Sequence, residues 1–98
     1  MTPETLALIA TYFLCSEAAE VRLLDRSEVA ACVETYNEVK LSFVPNINMA
    51  QFQAMDASRR AEVNLLGYAA FSKWRSENAE LVGEMKAEAR SVFGLSGA

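Results

Sequence analysis

The side chains best equipped for chemistry here are two cysteines, Cys15 and Cys32, and two ladders of carboxylates, Glu34–Glu38 and Glu80–Glu84–Glu88. A spacing of four puts each ladder on one face of a helix, where paired acids could pass protons or share a magnesium ion. A solvated helix face has the same spacing, and all five acids fall opposite or beside an apolar stripe, so they are assigned to solvent. Histidine is absent. That removes the most frequent general base, the usual activator of a serine or cysteine nucleophile, and the commonest metal ligand. Helical di-iron sites need Glu-x-x-His pairs, so they are excluded as well. No glycine-rich phosphate loop or calcium-binding loop occurs. The sequence predicts no enzyme, no catalytic residue, no metal site and no cofactor.

The cysteines fall on the first two elements. If those elements are helices folded back at Leu24-Asp25, Cys15 lies about 15 Å and Cys32 about 10 Å from the turn, at a rise of 1.5 Å per residue. A disulfide across such a hairpin is geometrically accessible. Against it, cytosolic thiols are normally reduced, and neither cysteine has a basic sequence neighbour to lower its pKa. The expectation is two free thiols acting as small core residues.

Helical signals dominate the elements that position these residues. Thr2-Pro3-Glu4 supplies an N-cap hydroxyl, proline at the first helical position and an acid at the positive dipole end, predicting a helix from Pro3 to about Leu23. Asp25 and Glu28 form a capping box for a second helix ending near Lys40, with Val29, Val33 and Tyr36 at helical spacing. Pro45 forces an extended or turning segment around Val44. Asn48 and Gln51 offer a second capping box for a short helix from Met49 to Met55, and Asp56 caps the next segment. Ala57 to Phe93 contains no proline. It reads either as one long helix or as two joined near Ser76–Asn78, with Val63, Leu66 and Ala70 on one stripe and Phe71, Trp74, Leu81, Met85 and Val92 on a second. Gly67 and Gly83 each cost about 1 kcal/mol relative to alanine inside a helix, and Gly67 marks a place where another helix comes close. The predicted fold is all-α: a small bundle of about four helices, a helical hairpin plus a long C-terminal helix. Residues 1–93 form one domain, Gly94 stops the last helix, and 94–98 form a flexible tail.

Charge and length narrow the partners. Nine basic residues face thirteen acids, for a net charge of −4. Nucleic-acid binding depends on clustered positive charge, and here Arg59-Arg60 is the sole adjacent basic pair, with Glu62 close behind. The apolar stretch Leu6–Cys15 has no basic residue before it, as a signal peptide would, and is too short to span a bilayer. A cytoplasmic protein that binds neither nucleic acid nor membrane is expected.

Apolar content is where this chain exceeds the needs of one small fold. At 98 residues and 52% hydrophobic composition, one modest core is available. Across residues 6 to 15 only Thr11 is polar, and a helix greasy all round must be surrounded by its own bundle or by a second chain. Leu8, Tyr12 and Cys15 are therefore candidates for self-association, with a two-fold homodimer the commonest arrangement. Phe43, Phe52, Tyr68 and Trp74, interleaved with Arg59 and Arg75, are candidates for partner binding, since aromatic and arginine side chains concentrate interface energy. Taken singly, Phe71 and Trp74 read as core and Tyr68 as partly exposed, because its hydroxyl needs water or a partner. The functional expectation is a protein–protein interaction module, a small dimeric regulator of antiactivator or inhibitor type that masks an apolar surface of a partner, with a transcription factor among the candidates. The alternatives are a structural subunit or secretion-type chaperone of a larger complex, and a small DNA-binding regulator.

Overall fold

The computed structural model describes residues 1–92, and these are all-helical: α1 (Pro3–Val21), α2 (Arg26–Ser42), α3 (Met49–Ala54), α4 (Ala57–Glu77) and α5 (Ala79–Val92). Phe93, the expected stop at Gly94 and the tail 94–98 lie outside the described residues. Each helix start except that of α5 is fixed by a side chain that accepts an otherwise orphaned amide. Thr2 accepts from the Thr5 amide, and Asp56 from that of Arg59. Both capping boxes are closed, Asp25 with Glu28 and Asn48 with Gln51. The α1–α2 turn is held further by Arg22, whose guanidinium grips both Glu28 carboxylate oxygens at 3.0 and 2.6 Å. Arg22 holds the Glu28 carboxyl at about 2, below its ordinary value of 4.5, with help from the Asp25 amide.

α1 packs against α2 on one side and α5 on another; α2 also packs against α4, and α3 closes onto the start of α4. The molecule measures 45 × 32 × 19 Å, and the short dimension fits two helix layers about 10 Å apart. The main core joins Ile9 and Phe13 of α1 to Val39, Phe71, Val82 and Ala89. A smaller one seats Phe52 of α3 between Leu41 and Val63. Burial of each large apolar side chain contributes roughly 1.5–3 kcal/mol. Between α2 and α3 the chain turns through Asn46 at φ 65°, a left-handed conformation that asparagine tolerates better than most residues.

Gly67 is where α4 meets α2: a Cβ there would lie 2.6 Å from the Lys40 carbonyl oxygen. Gly83 has no such neighbour. Asn78, at φ −125° and ψ 36°, breaks the final segment into two helices. Val82 and Ala89, about three and about five helical turns after Phe71 and so on its face, are buried, whereas Leu81 and Val92, expected on the stripe of Phe71 and Trp74, are exposed.

One buried carboxylate locks the α1–α5 seam. The Glu17 side chain is 3% exposed and lies 3.1 Å from Nε of Arg90, which also reaches Glu20 at 3.4 Å. A buried charge is tolerated only when paired in this way. Glu17 comes from the part of α1 beyond its apolar run, so the seam combines grease with one specific ion pair.

The expectation of two free thiols is corrected. Cys15 and Cys32 form a disulfide, with Cα atoms 5.6 Å apart. The hairpin places them side by side, at a Cα separation within the range a disulfide spans. Among the described residues no helix is long and apolar enough to cross a membrane.

Candidate functional site

An apolar groove of about 310 Å³ runs between α1 and α2, lined by Tyr12, Cys15 and Ser16 from one wall and Val29, Cys32, Val33 and Tyr36 from the other. The disulfide forms part of its lining. Its α2 wall follows from helical spacing: Val29, Val33 and Tyr36 share one flank, and α4 leaves the two valines open. Val29 and Val33 remain 47% and 53% exposed.

Tyr36 ends the groove. Its ring stacks on Tyr12 at 5.1 Å between centroids, and the Lys40 ammonium lies 4.4 Å from its centroid, within cation–π range. Burial pushes the Tyr36 hydroxyl above its ordinary value, Tyr12 and Tyr68 add to the rise, and Arg75 opposes it. Tyr68, on α4, is 55% exposed. Burial also pushes the Lys40 ammonium below its ordinary value.

Arg75 lies over two rings, 5.3 Å from the Phe13 centroid and 5.7 Å from that of Phe71. The ion pairs among the described residues are Arg22–Glu28, Arg59–Glu62 and Arg90 with Glu17 and Glu20. Neither Lys40 nor Arg75 takes part in any of them. No group of three or more potential metal-ligating side chains is found among the described residues.

The expected self-association residues are engaged within the chain. Leu8 and Tyr12 are half-buried against the main core, Tyr12 also meeting Phe71 edge-on at 5.5 Å, and Cys15 is tied to Cys32. Within residues 6–15 only Ala7 and Thr11 are exposed, so most of the greasy circumference of α1 is covered by its own neighbours. Of the partner-binding candidates, Tyr68 is exposed and Arg75 lies over the Phe13 and Phe71 rings. Phe43 and Trp74 pack on Phe71 at 5.7 and 6.3 Å, and Phe52 is buried in the smaller core. Arg59 is exposed and paired with Glu62. The structure therefore brings Tyr12 and Cys15 together in the groove and leaves the other candidates outside its lining.

Sequence reasoning missed Val29 and Val33 as surface residues, because helical spacing marks a face as apolar without saying what covers it. It also missed Leu65, 70% exposed, and its exposed neighbour Leu66. The available signal was Val63-Asn64-Leu65-Leu66: three large apolar residues inside one turn cannot all face α2. Compared with known proteins, the chain matches no family model, no curated protein and no solved structure.

Proposed function

We propose that this chain is a helical protein-interaction module, a small regulator of antiactivator or inhibitor type that acts by covering an apolar surface of a partner protein. The observation that carries this reading is the apolar groove between α1 and α2, lined by Tyr12, Val29, Val33 and Tyr36, with both valines exposed. Monomeric proteins rarely leave large contiguous apolar patches open, and such patches mark interaction sites. Tyrosines at the centre suit the role, since they bring large contact area with few torsions to freeze.

Photo-crosslinking tests this. A photoreactive side chain at position 33 should give one discrete adduct in extract from the source cells, and the adduct should vanish with Val29→Glu. The same group at Lys73, exposed on α4, should give none. Indistinguishable patterns from both positions would end the proposal.

A homodimer is the second reading, favoured by Leu65 and Leu66 on α4 rather than by α1. Light scattering should then find a dimer that Leu65→Glu converts to monomer. A monomer at all concentrations would discard it.

A further inference from the structure

The outward face of α4 carries a pattern that is its own complement. Val63, Gly67 and Phe71 are buried, so the opposite side of the helix, with Ala61, Leu65 and Ala69, faces solvent, and all three are exposed. A spacing of four keeps them on one line, and the two alanines beside Leu65 leave room for a second helix to come close. Tyr68 flanks this line on one side. Glu62, Leu66 and Lys73 flank it on the other, with Arg59 and Glu77 further round, and all of these are exposed. The remaining charges of α4 are engaged inward: Arg60 donates to the Met55 carbonyl oxygen, and Arg75 lies over the Phe13 and Phe71 rings. Every outward charge of the helix therefore belongs to one flank, as two bases and two acids. The face is neutral in a chain of net charge −4.

Two copies of a helix packed antiparallel about a two-fold axis bring each flank against itself, because such an interface uses the same patch twice. With the axis beside Tyr68, Glu62 lies six residues before it and Lys73 five after, so each Glu62 meets Lys73 of the second copy. Arg59 lies nine residues before and Glu77 nine after, and they meet in the same way. One axis thus pairs all four outward charges with opposite charges. It also sets Tyr68 against its counterpart and Leu65 near Ala69 of the second copy. A parallel pair would turn the charged flank toward the Tyr68 flank, where no outward charge of α4 answers it. Resting on the homodimer reading, we infer that two copies of this chain pair antiparallel through α4, with Glu62–Lys73 and Arg59–Glu77 contacts around a centre of Leu65, Leu66 and Tyr68. The apolar centre supplies affinity, and the ion pairs set direction and register. The α1–α2 groove takes no residue from α4, so a dimer built in this way presents two grooves.

Sedimentation equilibrium of the purified chain reads the dissociation constant of the dimer. Leu65→Glu, a surface change that circular dichroism should show to be folded, should leave monomer. The contact belongs to the dimer alone: in the dilute monomer Leu65 is open to solvent, and its truncation costs little. Glu62→Lys and Lys73→Glu should each weaken the dimer about tenfold at low salt, since symmetry replaces two attractions with two repulsions. The double variant Glu62→Lys/Lys73→Glu should recover most of that loss, and salt should shrink all of these differences. Position 73, which should capture no other protein in extract, should with a photoreactive group join two copies of the purified chain, the adduct mapping near Glu62 of the second copy. A monomer at every concentration ends the homodimer reading and this inference together. A dimer that Leu65→Glu dissociates, but in which the double variant is no tighter than the single ones or the adduct maps near position 73 itself, keeps the homodimer and overturns the antiparallel pairing. A dimer untouched by Leu65→Glu places the contact away from α4 and overturns it as well.

Discussion

Helices α1 and α4 both carry apolar side chains around much of their circumference, yet their fates differ. α1 lies between α2 and α5 and is pinned to both, by a disulfide on one side and by Glu17–Arg90 on the other. α4 has one broad neighbour, α2, and presents Leu65, Leu66 and Tyr68 to solvent. The difference lies in position along the chain rather than composition. The first hairpin is followed by enough sequence to return and cover it, whereas α4 is itself the cover. An all-round apolar helix therefore reports a need for neighbours, and the topology decides whether the chain meets it.

Paired substitutions put the largest strain on that contrast. Phe13→Ala, at a fully buried position of α1, should cost about 3–5 kcal/mol, while Leu65→Ala should change stability by less than about 0.5 kcal/mol. Urea unfolding of the two variants measures both, and a core-sized loss at Leu65 would mean that α4 is covered in solution. Reduction of the disulfide comes next. It closes a separation of 17 residues, so removing it should cost about 3 kcal/mol through the freed unfolded chain. A melting temperature unchanged by dithiothreitol would show that packing alone holds α1 to α2.

The glycines separate inner from outer helix faces. Gly67→Ala should destabilise by about 1–3 kcal/mol, because its Cβ meets Lys40 backbone that cannot easily retreat. Gly83→Ala meets nothing within 4 Å and should stabilise by about 0.4–1 kcal/mol. Equal signs in chemical unfolding would break the assignment of α4's packed face. The smallest effect concerns Glu28 at the hairpin turn. Its folded-state value, lowered to about 2, makes the ionised form stabilising above the ordinary carboxylate value and progressively lost as pH falls toward about 2. Arg22→Ala should return the Glu28 titration, followed by carboxyl NMR, toward 4.5; no movement would mean that the clamp is absent in solution.

Local elements were readable because their causes are local. Thr2, Asp25, Asn48 and Asp56 each name a helix start through one side chain and one amide, and Gly67 announced a close approach that the Lys40 carbonyl makes. What could not be read depends on distant chain. Nothing near Val29 or Val33 says that α4 stops short of them. Arg90 gives no sign in sequence that it will meet Glu17. Of the groove, Tyr12 and Cys15 were legible as unusual residues, but their meeting with Val29, Val33 and Tyr36 required the fold.

The Glu17–Arg90 bridge joins residues 73 apart, and this has a consequence during synthesis. While the ribosome is still making the last third of the chain, the hairpin can already close, but the flank of α1 that carries Ile9 and Phe13 has no α5 to lie against. The entropic handicap of that long closure is small, only about 1.2 kcal/mol beyond a loop a quarter as long. Timing is the greater hazard. Polypeptides cut short before α5 would leave this flank bare, making them the species most prone to aggregate and most in need of a chaperone.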